Sequence, residues 1–159
     1  MAYSLKTPEQ VVVELPGEAS ITARPVTTPV LEAAKAVAAR KAREARADAE
    51  VMKQIGLSHD GDGKDEDIGD AIYLFFLRIE LGIRLIISWQ GFGDEAEAAP
   101  DAGNIRTAFC LFPTVGRLFY EAVMIRPMIQ AAVKKNSASA APGTSSPAAA
   151  GDTATAAGN

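Results

Sequence analysis

The chain has 159 residues, a net charge of −4 and a sequence pI near 5.0. One domain with a modest core fits that length. The acidic balance argues against broad nucleic-acid binding, which needs clustered Lys and Arg to neutralise phosphates, and a single cysteine, Cys110, excludes an intrachain disulfide and points to a reducing compartment.

Residues 1–10 read as a flexible leader. "MAYSLKTPEQVVVEL" lacks a basic region followed by a long apolar run and a small-residue cleavage site, so a cytosolic chain is expected. Residues 11–26 then predict a β-hairpin. Val11, Val12 and Val13 are β-branched, Pro16-Gly17 breaks the run, and Ile21, Thr22 and Val26 resume it. A lone two-stranded hairpin is marginal in water, so it must pack on the body or pair with another chain.

Residues 29–55 predict one long helix. Thr28 is the expected N-cap, Pro29 suits the first helical position and Gly56 is the stop. Its interior of Ala, Lys, Arg and Glu is strongly helix-forming. The apolar face is thin: Val30, Ala34, Val37, Ala38, Ala45, Met52 and Ile55. Alanine buries little area, so a solvated helix lying on a small core is expected.

"LSHDGDGKDEDIGD" is an acidic, Gly-rich loop that invites comparison with a calcium loop. With Asp60 and Asp62 as first and third ligands, the fifth position is Lys64. The sixth, which needs Gly, is Asp65, and the twelfth, which needs a bidentate Glu, is Ala71. The pattern fails, and no metal is expected. His59 has no partner pattern and reads as an exposed loop residue.

Residues 67–89 form the most apolar segment and are expected to be the central helix. Arg78, Glu80 and Arg84 near its middle cost about 2.5–3.5 kcal/mol each in a bilayer, which outweighs the gain from its Ile, Leu and Phe residues. In water, Ile72, Phe75, Phe76, Ile79, Ile83, Ile86 and Ile87 fall on one wide face. Arg78, Glu80, Arg84 and Asp70 fall on the other half with Leu74, Leu77, Leu81 and Leu85, and Glu80 can pair with Arg84 at i, i+4. A helix apolar almost all round belongs at the centre of a bundle or hides one side in a partner.

A short helix over 103–112 ends before Pro113, and Cys110 within it reads as a small apolar core residue. Residues 114–134 predict a last helix with Thr114 as N-cap and a kink or break at Pro127. Its stripe is Val115, Leu118, Phe119, Ala122, Val123 and Ile125. Residues 136–159 hold no large apolar side chain and are expected to be a disordered tail. The fold class is therefore mainly α: a small helical bundle over 11–135 with an N-terminal β-hairpin.

The sequence shows no P-loop, dinucleotide Gly-rich turn, zinc spacing or nucleophile elbow. Its paired carboxylates lie in loops, where no rigid shell would tune them. No enzyme activity and no cofactor is expected. Aromatic side chains are the partner-binding candidates: Trp89, Phe92, Phe112, Phe119 and Tyr120. Trp89 has two readings. It ends the central helix and packs its ring over the core while its N–H reaches the loop, or it contacts a partner together with Phe92.

The order of features adds a resemblance. A hairpin ends in "ITARPVTT" and a long helix follows. An apolar helix runs into W-x-G-F-G-D at 89–94, then an acid- and Pro-rich loop, then D-x-G-N-I-R at 101–106. F-Y-x-x-x-x-x-R-P follows at 119–127, then "KKNS" and a polar tail. Over roughly 10–137 this resembles the small tail assembly chaperones of long-tailed bacteriophages and prophages, with Trp89, Gly91, Phe92, Gly93, Asp94, Asn104, Phe119, Tyr120 and Pro127 at matching places. Gln90 stands where that family usually has an acid, and the acidic loop at 58–70 is a departure.

The resemblance implies a non-enzymatic helper in the host cytoplasm. It would bind the tape measure protein, and secondarily the tail tube protein, and be absent from the mature virion. It implies no nucleic-acid or membrane partner and leaves homo-oligomers open. A minor structural or connector protein of the tail is the alternative, with strands of the hairpin added to neighbours. A membrane-associated small protein is a third class, motivated by residues 68–89.

Overall fold

The computed structural model describes residues 10–57, 65–93 and 96–130. The leader, His59 with most of the acidic loop, and the tail lie outside them. The mainly helical architecture with an N-terminal hairpin is present, and a third strand completes a small sheet.

Strands β1 (Val11–Glu14) and β2 (Ser20–Ala23) pair antiparallel around Pro16-Gly17. Alternation decides their faces: Val13, Leu15, Ile21 and Ala23 are buried, while Val12 and Glu14 are exposed. The turn carries one non-glycine residue with a left-handed backbone, Glu18 at φ 63. That conformation crowds a Cβ, whereas Asn tolerates it. Glu18→Asn is expected to raise stability by about 0.5–1 kcal/mol in urea unfolding, with an unchanged m-value.

The predicted helix at 29–55 is two helices, α1 (Thr28–Ala47) and α2 (Ala49–Gln54). Asp48 divides them. It is extended at φ −117, and its carboxylate accepts from the N–H groups of Glu50 and Val51, capping a new helix. The N-cap of α1 is Thr27, not Thr28, and its side chain makes no capping bond; Pro29 occupies the first turn. Gly56 ends α2 at φ +80 as expected.

The alanine face of α1 packs against α3 (Asp65–Leu85), the longest helix. Ala34, Ala38, Ala42 and Ala45 are all buried there. The helix is central, but the expected division of its faces was too narrow. Leu77, Leu81 and Leu85, placed on the polar half, are buried with Ile72 and Ile79, whereas Phe75, Phe76 and Ile83 are only half-buried. The reason is two-sided packing: α1 covers one side, and α4 (Ala102–Leu111) and α5 (Pro113–Tyr120) contact α3 as well.

Glu80 is part of this core at 5% exposure. Lys41 of α1 reaches it at 2.5 Å and Arg84 at 3.7 Å, the latter being the i, i+4 pair read from the sequence. Burying a carboxylate is costly unless it is paired, and here the stem of Lys41 delivers the partner from outside.

Helix α3 ends at Leu85, earlier than the expected 89. Ile86–Gln90 is strand β3, which pairs antiparallel with β2: Ile21 opposite Trp89, Thr22 opposite Ser88, Ser20 opposite Gln90. The ladder is joined to the helix end where the Arg24 N–H donates to the Leu85 carbonyl at 2.8 Å. Adjacent β-branched Ile86 and Ile87 suit a strand, and the free edge of β2 supplies the hydrogen bonds a helix would otherwise make internally.

The last predicted helix starts at Pro113, with Phe112 rather than Thr114 at the cap position. It does not break at Pro127. Glu121–Ile125 forms a π turn, in which the Arg126 N–H donates to the Glu121 carbonyl, and the helix then continues to Gln130. Proline removes the bond to residue 123 and crowds its carbonyl. The one-residue register shift just before it lets the helix carry on.

Candidate functional site

Trp89 sits on the core-facing side of β3 and is 5% exposed. It therefore does not end the helix, but the two contacts expected of it are present. Its ring joins the main core, and its Nε1–H donates to the Ala98 carbonyl in the following loop. Phe92 stacks on it with ring centroids 4.3 Å apart and planes 22° apart. The Ala98 N–H in turn donates to the Phe92 carbonyl at 2.7 Å. Ala98 is thus held on both sides, and the loop is strapped over the indole.

Two glycines make that strap sterically feasible. Gly91 has φ +80 and lies against Ala19, which a Cβ would approach to 2.9 Å. Gly93 has φ +132, and a Cβ there would lie 2.0 Å from the Ala96 carbonyl oxygen. Neither position accepts a side chain without moving the backbone. At the far end of the loop Asp101 caps α4 by accepting from the Asn104 N–H at 2.8 Å, and Asn104 Nδ2 donates to the Ala99 carbonyl at 2.9 Å. Of the residues that carried the resemblance, Trp89, Gly91, Phe92, Gly93 and Asn104 shape this loop.

The other candidates divide by burial. Phe119 is fully buried and packs on Phe109, with ring centroids 5.5 Å apart. Gly82 on α3 gives Ile105 and Phe109 the room to seat there. Tyr120 is half-buried beneath Arg78, whose guanidinium carbon lies 5.7 Å from the ring centroid. Phe112 is 55% exposed and adjoins Leu111, at 67%, where α4 turns into α5. Sequence reasoning singled out Phe112 but not Leu111, nor the exposed Met128 and Ile129 at the end of the last helix, and Ile125, placed in that helix's apolar stripe, is exposed as well. The signal was available in part: positions 125, 128 and 129 share one helix face at i, i+3 and i+4.

Cys110 is exposed, not a core residue. Helix α4 buries Ile105, Ala108 and Phe109, and Cys110 falls on its outer side. Partial burial pushes its thiol up, against an opposing pull from Arg106. Such a thiol is a weak nucleophile at neutral pH.

Among the described residues, no group of three or more His, Cys, Asp or Glu could hold a metal ion. A cleft of about 390 Å³ is lined by Ala42, Arg43, Arg46, Gly69 and Asp70. None of these aromatic candidates lines it. Among the same residues no single helix is long and apolar enough to cross a membrane; only α4 with the helix through Gln130 approaches that composition, as a pair bent by 108°. The arrangement offers exposed apolar side chains at the α4–α5 corner.

Comparison with family models, curated proteins and solved structures finds no match to this chain.

Proposed function

We propose that this chain is a non-enzymatic chaperone of phage tail assembly that binds the tape measure protein in the host cytoplasm. The observation that carries the reading is the exposed apolar surface of the last two helices: the Leu111–Phe112 corner, with Ile125, Met128 and Ile129 further along. The motif order at 89–127 supports it from the sequence side. A long, helical, apolar chain awaiting its tube would aggregate through its apolar faces. A small protein offering a few exposed apolar side chains on rigid helices can cover such faces weakly and leave when the tube closes.

Of the five aromatic candidates, Phe112 is the exposed one, and the reading assigns the partner contact to it. Phe92 supports the loop, and Trp89, Phe119 and Tyr120 support the core and its rim. The test is co-expression of the full chain with a tape measure protein, reading the soluble fraction. The wild-type chain should keep the tape measure protein soluble. Leu111→Ser with Phe112→Ser should lose that effect while changing the chain's own stability by no more than about 0.5 kcal/mol, as expected for exposed positions. A tape measure protein that stays insoluble beside a folded wild-type chain rejects the reading. So does recovery of the chain in purified particles by mass spectrometry. That second result would favour a minor structural or connector protein, for which the strands at the two sheet edges are the supporting feature.

A further inference from the structure

Among the described residues, the sheet order β1-β2-β3 leaves β1 at one edge. The Leu15 N–H donates to the Ala19 carbonyl across the hairpin at 2.9 Å. By the alternation of an antiparallel ladder, Leu15, Val13 and Val11 turn their peptide groups toward β2. Val12 and Glu14 turn theirs to the outer side, as does Gln10 just before the strand. Val12 is also 55% exposed, on the face opposite the fully buried Val13. Strand edges are commonly blunted by Lys, Pro or a bulge. Val11–Glu14 has no Lys or Pro, and the one irregularity in the sheet lies between β2 and β3.

The register identifies what this edge fits. Two copies of β1 running antiparallel with Val12 opposite Val12 place Gln10 opposite Glu14 and Val11 opposite Val13. The pairs at 12 and at 10 with 14 are those whose peptide groups face outward, so they become the hydrogen-bonded pairs of the new ladder. The strand's single charge meets an amide. Centring on Glu14 would instead oppose two carboxylates, and centring on Val13 would oppose residues whose peptide groups already serve β2. We propose that a second copy of this chain docks on β1 in the Val12-centred register, joining two three-stranded sheets across a two-fold axis. The contact is one short strand pair, so association is weak and concentration-dependent. It is independent of the chaperone reading, since it uses none of the residues of the Leu111–Phe112 corner.

Sedimentation of the full chain from low to high micromolar concentration tests this, with hydrogen exchange of the Val12 amide as a second readout. The wild-type chain should move from monomer to dimer, and its Val12 amide should exchange more slowly as dimer forms. Val12→Lys sets like charges face to face on the axis and should raise the dissociation constant about tenfold or more, with an unchanged circular dichroism spectrum. A wild-type chain that stays monomeric throughout overturns the proposal and leaves the edge for a different chain. A dimer that survives in folded Val12→Lys also overturns it. Should the variant unfold, the wild-type exchange decides: a Val12 rate independent of concentration rejects the register.

Discussion

Trp89→Ala is expected to lower stability by about 3–5 kcal/mol, the range for truncating a buried aromatic side chain. The indole is 5% exposed, stacks on Phe92 and donates to the Ala98 carbonyl. Removing it opens a cavity beneath β3 and releases the strap at once. Trp89→Phe separates these effects. It keeps most of the ring and loses the N–H, so it should cost about 1 kcal/mol, the net value of one hydrogen bond. Urea unfolding of the two variants measures both. If Trp89→Ala costs less than Trp89→Phe is expected to cost, the indole is not a core residue, and its contact with a partner becomes the better account.

The second large effect is expected at the buried ion pair. Lys41→Met should cost about 2 kcal/mol. Removing one partner of a fully buried pair costs about 3–5 kcal/mol, and two features reduce that here. Arg84 remains 3.7 Å from Glu80, and the Lys41 side chain is itself 26% exposed. The double substitution Lys41→Met with Glu80→Leu should recover most of the loss, because it removes the carboxylate that would be stranded. Denaturant midpoints of the two single variants and the double one close the cycle. A double variant as unstable as the sum of the singles would mean the pair is not coupled.

These two sites show what the sequence made legible. The hairpin was readable because three β-branched valines precede a Pro-Gly turn. The helices were readable from composition and period, and so was the central place of α3, since no wheel could hide so many Ile, Leu and Phe. The strand at Ile86–Gln90 was not. Its residues continue the helical apolar run without a break, and what turns them is the free edge of β2, some sixty residues earlier in the chain. The break at Asp48 could have been found, because an Asp followed by Ala-Glu-Val is an N-cap pattern even inside a helix-rich stretch. Glu80 could not. Its burial depends on a lysine brought over from another helix, and on a wheel it sits among charges. The resemblance pointed at the Trp89 loop, and the geometry explains why those residue types belong together: two glycines at positive φ, an indole donor and an Asn that ties the loop to α4. The exposed Leu111 was hidden for the opposite reason. An apolar residue near a helix end reads as core, and only the bend into α5 turns it outward.

The alanine face of α1 carries one more consequence. Ala34, Ala38 and Ala42 recur every four residues, close to one helical turn. Sliding α1 along α3 by a turn therefore lays alanine where alanine already was. A smooth surface with no rotamers to lock gives little resistance to such slippage. The contacts that choose one position lie elsewhere: Val30 and Leu31 against the main core, Lys41 on Glu80, and Met52 of α2 clustered with Ile72. The ion pair is the polar contact on the α1–α3 seam, and its expected contribution is to the choice of axial position rather than to cohesion. A chain carrying Lys41→Met with Glu80→Leu would be nearly as stable yet less singular, with amide resonances of α1 split between two positions one turn apart.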